Sequence, residues 1–406
     1  MHLLNAHKKN ESVLLLCIVM MSVIGLISSD IFLPALPDII AYYGVNARQG
    51  QTILGYFLFG IAGMQLFYGP LSDSLGRRRL LIAGVLVFSV TSAAIPFAQN
   101  FQQIIALRIL QAIGACAGIT LGRAIVSDLF PKDAASNIFL KIFPIVGMSP
   151  AIAPLIGGIL QTIWGWKACF VFSMAFGLLL LFLLIFTLPE TLPETNRRRL
   201  SIHHVASSYR SLLTSVQFWH YAIIPCIAYS VYFAYIAQSP FLLQEQGIPA
   251  NAVGYSYISL SAMYITGNIV ARRLLAHSKT LDQILALGYR IFLLGGIVLI
   301  LVTALFSHQF SATIAAMSII TLGNGFLLPL GTSGAVTCMP RLAGSASGLM
   351  GALQIGSAAW TANHIGQLTA NVPQRFGIII CVFILFGYIS FIVLGRLSKD
   401  KRLAQA

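Results

Sequence analysis

Asp30 is the residue from which a function can be built. It lies late in an apolar run that begins at Val13, inside the stretch VIGLISSDIFLPALPDI from Val23 to Ile39. A carboxylate in the apolar part of a membrane helix costs roughly 2.5–3.5 kcal/mol, so it must be either compensated or used. Compensated, Asp30 is a hydrogen-bond node to a neighbouring backbone. Used, it is a proton carrier, on which burial and a nearby cation act in opposite senses. Arg108, in the fourth apolar run, supplies the cation. At 100° per residue Arg108, Gln111, Gly118 and Gly122 lie within about 80° of one another on one helix face. Gly114, Gly118 and Gly122 form a GxxxGxxxG ridge that can press this helix onto a neighbour while Arg108 points inward. An arginine only about five residues from a helix end can also snorkel to the surface.

Other polar groups within apolar runs are candidate walls of a ligand cavity. Tyr56 in the second run and Tyr229, Tyr232, Tyr235 and Gln238 in the seventh suit a poorly water-soluble ligand, although aromatics at such spacings also serve as packing. Asn268, Asn324, Asn363 and His364 lie in later runs. His364 is the one histidine placed deep in a run, and it reads either as a proton-transfer group or as a hydrogen-bonded structural histidine. No catalytic set is found. An intramembrane aspartyl protease needs a second acid facing Asp30, and neither a Ser/His nor a His/Asp constellation is evident. The six cysteines stand singly in apolar segments with no CxxC pair, which indicates neither disulfide framework nor zinc site. The His203-His204 pair reads as solvated loop. The expectation is no catalytic residue, no metal and no cofactor.

The elements that must position these residues follow from composition. Of 406 residues 57% are hydrophobic and only 9% charged, with a mean hydropathy of +0.85. Soluble proteins carry about 25% charged residues, so a soluble fold is excluded. With about 20 residues per span, the apolar runs give twelve spans near 13–35, 50–68, 80–98, 103–124, 137–160, 168–188, 217–240, 253–273, 283–306, 310–330, 345–369 and 376–396. The first run has no small-residue cleavage site after it and reads as a retained helix. With both termini cytoplasmic, eighteen of the 25 Lys and Arg residues fall in cytoplasmic segments and three (Arg48, Lys167 and Arg375) in external loops. That asymmetry sets the orientation and accounts for the net charge of +14 without nucleic acid. The longest polar stretch, 189–216, splits the spans six and six, as in repeat-built transporters. The reading is an all-α integral membrane protein of twelve transmembrane helices. It has an N-terminal six-helix bundle at 1–188, a cytoplasmic linker at 189–216 and a C-terminal six-helix bundle at 217–406.

Three motifs sharpen the reading. The loop after span two, GPLSDSLGRRRLL from Gly69 to Leu81, places Gly69, Asp73 and Gly76 ahead of Arg77 and Arg78 at the spacing G-x-L-x-D-x-x-G-R-R/K. A merely basic turn explains the arginines but not the rest. The loop resembles the signature of the major facilitator superfamily, and Arg108-Ile-Leu-Gln111-Ala-Ile-Gly114 resembles that superfamily's span-four motif. Span five holds Gly147, Pro150, Pro154 and Gly157-Gly158, whose prolines kink a helix. These resemble, in looser form without the contiguous Gly-Pro pair, its antiporter motif. Asp30 before LPALP, Gly60, Gln65 and Tyr68 to Asp73, and Arg123-Ala-Ile-Val-Ser-Asp128 resemble the Bcr/CflA drug-resistance branch. Ala62-Gly63-Met64 before Gln65 and Ser74 depart from its usual pattern.

That resemblance implies a proton-coupled multidrug efflux transporter of the bacterial inner membrane, working by alternating access as a monomer among lipids. Its partner is a small amphipathic or drug-like substrate, and the coupling ion is the proton. Asp30 is the implied proton carrier and Arg108 its tuning or relay partner. Asp73 is the implied latch between halves, against the start of span eleven near Ser345, with Arg123, Asp128 and Lys141 in the same cytoplasmic network. The alternative within the same fold is a dedicated transporter of one metabolite or siderophore, in either direction.

Overall fold

A computed structural model of the chain describes residues 11–129, 148–149, 151–192, 195, 202–245, 251–276, 280–306, 309–339, 342–369 and 372–403. Among them there is no strand. The first half comprises α1 (Glu11–Asp30), a 3-10 turn (Leu33–Ala35), α2 (Leu36–Tyr43), α3 (Ala47–Leu75), α4 (Arg77–Ala94), α5 (Phe101–Leu129), α6 (Ala151–Trp164) and α7 (Lys167–Thr187). A short helix α8 (Ile202–Leu213) lies in the linker. The second half comprises α9 (Val216–Glu245), α10 (Asn251–Ala276), α11 (Leu281–Leu305), α12 (Phe310–Thr337), α13 (Ala343–Thr369) and α14 (Pro373–Leu403). This is the architecture of twelve spans in two bundles.

Among the described residues, nine helices are long and apolar enough to cross a membrane. Neither α10 nor α13 is one of the nine. Helix α13 is rich in Gly, Ser, Thr, Asn and Gln, and the reason is its neighbour. It packs along α3 of the other half, and Gly55, Gly351 and Gly366 lie against Asn363, Gln65 and Gln51 across that seam. Lipid-facing helices look different: α7 exposes Leu179, Phe182 and Phe186.

Helix ends are set by local chemistry. Asn46 caps α3 by accepting from the Gln49 amide at 2.8 Å, while the Gln49 side chain accepts from the Asn46 amide at 3.1 Å. This reciprocal box satisfies two otherwise orphaned donors. Thr280 and Gln283 do the same for α11. Gly76 joins α3 to α4 at φ 95°, a left-handed value that an L side chain tolerates poorly. The α5 glycine ridge serves two neighbours. Gly114 abuts the backbone of α4 at Gly84 and Phe88, whereas Gly118 and Gly122 abut α1 at Met21.

The halves also meet at the end of the bundle remote from Arg77–Arg79. There the 3-10 turn and α2 pack on α9, and the turn packs on α10. At the basic end the linker is anchored: the Tyr209 hydroxyl donates to the Leu66 carbonyl at 3.1 Å, and the Trp219 indole to the Leu213 carbonyl at 2.8 Å. Burial against α3 pushes the Tyr209 phenol above its ordinary range.

Candidate functional site: a buried acid at a broken helix

The first span does not run straight to residue 35. It stops at Asp30, turns, and continues as α2 to Tyr43. The Ile31 amide still reaches the Ile27 carbonyl at 2.9 Å, but Pro34 has no N–H for the Asp30 carbonyl and Pro37 none for that of Leu33. Prolines 34 and 37 therefore locate the break. Gly157 of α6 packs directly on the Ile31 carbonyl; the span-five glycine admits a neighbour to the broken backbone. Pro154 and Gly158 are buried on the same helix, and Gly147, Pro150 and Lys141 lie outside the described residues.

Asp30 is 2% exposed. Ser29 Oγ donates to its Oδ1 at 2.6 Å. The carboxyl stands at a helix C-terminus, where the helix dipole gives a negative charge no help.

Arg108 is fully buried, which overturns snorkelling. Its Nη1 donates to the Ser28 carbonyl at 3.1 Å and to Gln111 Oε1 at 2.6 Å. The Ser28 carbonyl belongs to the last turn of α1, where backbone acceptors lack helical donors, so the arginine caps the broken helix. Gln111 in turn donates to Ser92 Oγ at 2.7 Å, and Ser92 to the Phe88 carbonyl at 2.6 Å. The guanidinium carbon lies 4.0 Å from the ring centre of Phe57, 4.5 Å from that of Phe32 and 5.9 Å from that of Phe170. Nε and Nη2 have no hydrogen-bond partner. Among the described residues Asp30 and Arg108 interact electrostatically without forming an ion pair.

The second half faces Asp30 with phenols. Tyr229, Tyr232 and Tyr257 are all within electrostatic range of its carboxyl. Tyr235 meets Tyr257 edge-on at 6.1 Å between ring centres, and Tyr257 is hydrogen-bonded to Ser239. One turn toward the far end, Gln51 Nε2 donates to Gln238 Oε1 at 2.8 Å, joining α3 to α9 between two buried side chains. Of the span-seven candidates, Tyr229 and Tyr232 thus face Asp30, while Tyr235 and Gln238 lie further along the same helix, against Tyr257 and Gln51. Asn268 hydrogen-bonds Tyr264, which lies within electrostatic range of Tyr229.

Two expected wall residues are elsewhere, and a third, Asn324, lies against α9. Tyr56 is 41% exposed and shares a stripe with exposed Phe59, Gly63 and Phe67. This stripe lies away from the faces on which Phe57 meets Arg108 and Gly55 meets Asn363, so Tyr56 looks outward. His364 stacks on exposed Trp360 at 4.8 Å and bonds that residue's carbonyl at 2.8 Å, toward the bundle surface. Asn324 is buried and points its Nδ2 at the Ala228 carbonyl, 3.5 Å away, between α12 and α9.

The loop Gly69–Leu81 is organised around Arg77. Arg77 pairs with Asp73 at 2.7 Å and Asp128 at 3.2 Å, and also bonds Ser72. Glu190 Oε1 accepts from the Arg77 amide at 2.9 Å, and Arg78 caps the end of α7 through the Ile185 and Leu188 carbonyls at 2.8 and 2.6 Å. Among the described residues these partners all belong to the first half and its exit, and none is Ser345. Arg123, expected in this network with Asp128, lies within electrostatic range of Tyr229 and Cys116.

Sequence reasoning did not single out Phe32, Phe57, Gln51, Tyr257, Tyr264 or Glu190. Tyr257 and Tyr264 were accessible to it, since seven residues apart they share a helix face. A phenylalanine over an arginine leaves no such trace.

A structure of this shape and charge placement defines a membrane carrier, not an enzyme. The family model "Major Facilitator Superfamily" matches residues 18–362, and the chain belongs to that superfamily. Multidrug resistance protein D of Escherichia coli (strain K12) is 28% identical over 371 residues, covering 89% of each chain. A bicyclomycin resistance protein homolog of Haemophilus influenzae is 26% identical over 380 residues, covering 93% of this chain and 95% of its own. Both uphold the resemblance to the Bcr/CflA branch. Among solved structures, a bacterial homolog of the human lysosomal transporter Spinster, in an inward-facing and unoccupied conformation, superposes with a TM-score of 0.73 at 15% identity. It covers 96% of this chain and 98% of that one.

Proposed function

We propose that the protein exports small drug-like molecules across the bacterial inner membrane in exchange for protons, by alternating access of the halves 1–188 and 217–406 about a midplane site. The observation that supports this best is Asp30. It is a buried carboxyl at the seam of the halves, bonded to Ser29 and free of an ion pair, beside a cation and opposite three phenols. Such an acid can load a proton from one side and release it to the other when the halves rock. Substrate and proton compete for the same layer, with Tyr229, Tyr232 and Tyr235 offering amphipathic surface to the substrate.

In this reading both termini and the Arg77–Arg79 loop are cytoplasmic, and the structure is the inward-facing form. The Gln51–Gln238 bond and the packing of α2 on α9 close the external side. Asp73, 47% exposed beside Arg77, is then free to swing onto the start of α13 when the cytoplasmic side closes. The names of the relatives, multidrug and bicyclomycin resistance proteins, support drug-like substrates over a dedicated metabolite.

The test is transport by the purified protein in proteoliposomes under an imposed pH gradient, over a panel of neutral and charged antibiotics. Proton-driven movement of several of them fits the proposal. Movement of a single siderophore or metabolite, with no antibiotic transported, overturns it.

A further inference from the structure

The arginine beside the proposed proton site is held in an unusual way. A desolvated guanidinium is ordinarily neutralised by a carboxylate with fork-shaped hydrogen bonds. Arg108 has a carboxyl on the adjoining helix end, yet does not pair with it. Its hydrogen bonds run from one nitrogen only, Nη1, to Ser28 and Gln111, while Nε and Nη2 find no acceptor. What surrounds the charge instead is three buried rings from three different helices or turns: Phe57 of α3, Phe32 of the turn after α1, and Phe170 of α7. The negative face of an aromatic ring attracts a cation, and does so more strongly once water is excluded.

We propose that this aromatic box, with Phe57 as its principal wall, is a positioning device that holds the charge of Arg108 off Asp30. Resting on the reading of Asp30 as the proton carrier, the device solves a problem any such site has. An acid locked in a buried ion pair does not take up a proton at ambient pH, because breaking the pair leaves the cation uncompensated. With the rings compensating the guanidinium, Asp30 is released to bind and lose its proton. The groups facing Asp30 are Arg108 from α5, Tyr229 and Tyr232 from α9, Tyr257 from α10, and Ser29 on its own helix. Among these only Arg108 has a permanent charge, so its position sets the proton affinity. Phe32 adds a mechanical link. It follows Asp30 by two residues across the same break, so a movement of the first helix's end shifts ring and carboxyl together.

The test varies the ring face without varying its size. Phe57 is replaced in the full-length protein by mono-, di- and trifluorophenylalanine, which progressively remove the negative face, and by the substitutions Phe57→Leu and Phe57→Tyr. The readout is infrared titration of the protonated-carboxyl band that Asp30→Asn abolishes, measured on purified protein in lipid nanodiscs without substrate. A weaker ring lets Arg108 move toward Asp30, which stabilises the carboxylate. The band's midpoint must then fall with each added fluorine, reaching about one pH unit, or roughly tenfold in proton affinity, for the trifluoro ring and Phe57→Leu. Phe57→Tyr must keep the wild-type midpoint. A midpoint that stays constant across the fluorinated series, or rises along it, overturns the proposal, and the fluorinated series decides even if Phe57→Leu does not fold. Because no substrate is present, a graded shift together with absent proton-driven transport would uphold the box and sink the exporter reading instead.

Discussion

Gln51 and Gln238 meet at 2.8 Å between buried amides on opposite halves of the chain, 187 residues apart in sequence. Gly366 lies against the same Gln51 side chain from α13, so α3, α9 and α13 meet in a three-helix seam at this end. A net hydrogen bond is worth about 0.5–1.5 kcal/mol, and a buried amide left without its partner costs more.

Gln51→Leu should therefore shift the population several-fold toward the form open at this end. Spin labels at exposed Tyr42 in the first half and exposed Leu368 in the second would report it as a longer distance. An unchanged distance distribution would show that the glutamine pair does not hold the seam.

At the other end, Arg77→Gln removes the partner of Asp73 and Asp128. Asp73 is about half exposed, and ion pairs of that kind add only about 0–1 kcal/mol to stability. Thermal unfolding in detergent should shift by no more than a few degrees while transport slows at least tenfold, with substrate affinity retained. Loss of binding with normal conformational cycling would contradict a gating role for this loop.

Two glycine substitutions separate packing from exposure. A Cβ at Gly157 would land on the Ile31 carbonyl, whereas one at Gly63 meets nothing within 4 Å. Gly157→Ala should lower stability by about 1–3 kcal/mol and disturb the break beside Asp30. Gly63→Ala should be neutral or slightly stabilising, as expected of Gly to Ala in a helix. Equal melting temperatures for both variants would refute the packing argument.

Among the described residues His364 bonds its own helix's Trp360 carbonyl and stacks on that ring. His364→Gln should leave the pH dependence of transport unchanged, measured from pH 5 to 9 in proteoliposomes, where a lost or displaced dependence would assign it a proton-transfer part.

The fold was legible because its signals are additive and local. Apolar runs of bilayer length, the spacing of Gly69, Asp73 and Gly76, and the spacing of Arg108, Gln111 and Gly114 all survive reading in one dimension. The seams were not. Helix α13 reads as marginally apolar because its partner is a protein face on α3, not lipid. The break at Asp30 was half legible: Pro34 and Pro37 were visible, but that the chain turns there and continues as α2 depends on α6 packing at Gly157. Tyr56 and His364 stayed ambiguous because a polar or aromatic residue in a span gives its depth, while the face it occupies is decided by neighbouring helices. Phe57 was invisible for the opposite reason, being one apolar residue among 57%.

The central claim is that Asp30 moves the coupling proton, and one measurement meets it directly. Proteoliposomes containing the wild type or Asp30→Asn, each shown to be folded by its melting curve, are given a pH gradient in the presence of the neutral antibiotic the wild type transports fastest in the panel above, with a lipophilic cation as a second probe. The account predicts gradient-driven substrate movement in the wild type and none in Asp30→Asn, with passive exchange down a substrate gradient retained. Gradient-driven movement by Asp30→Asn at the wild-type rate would contradict it.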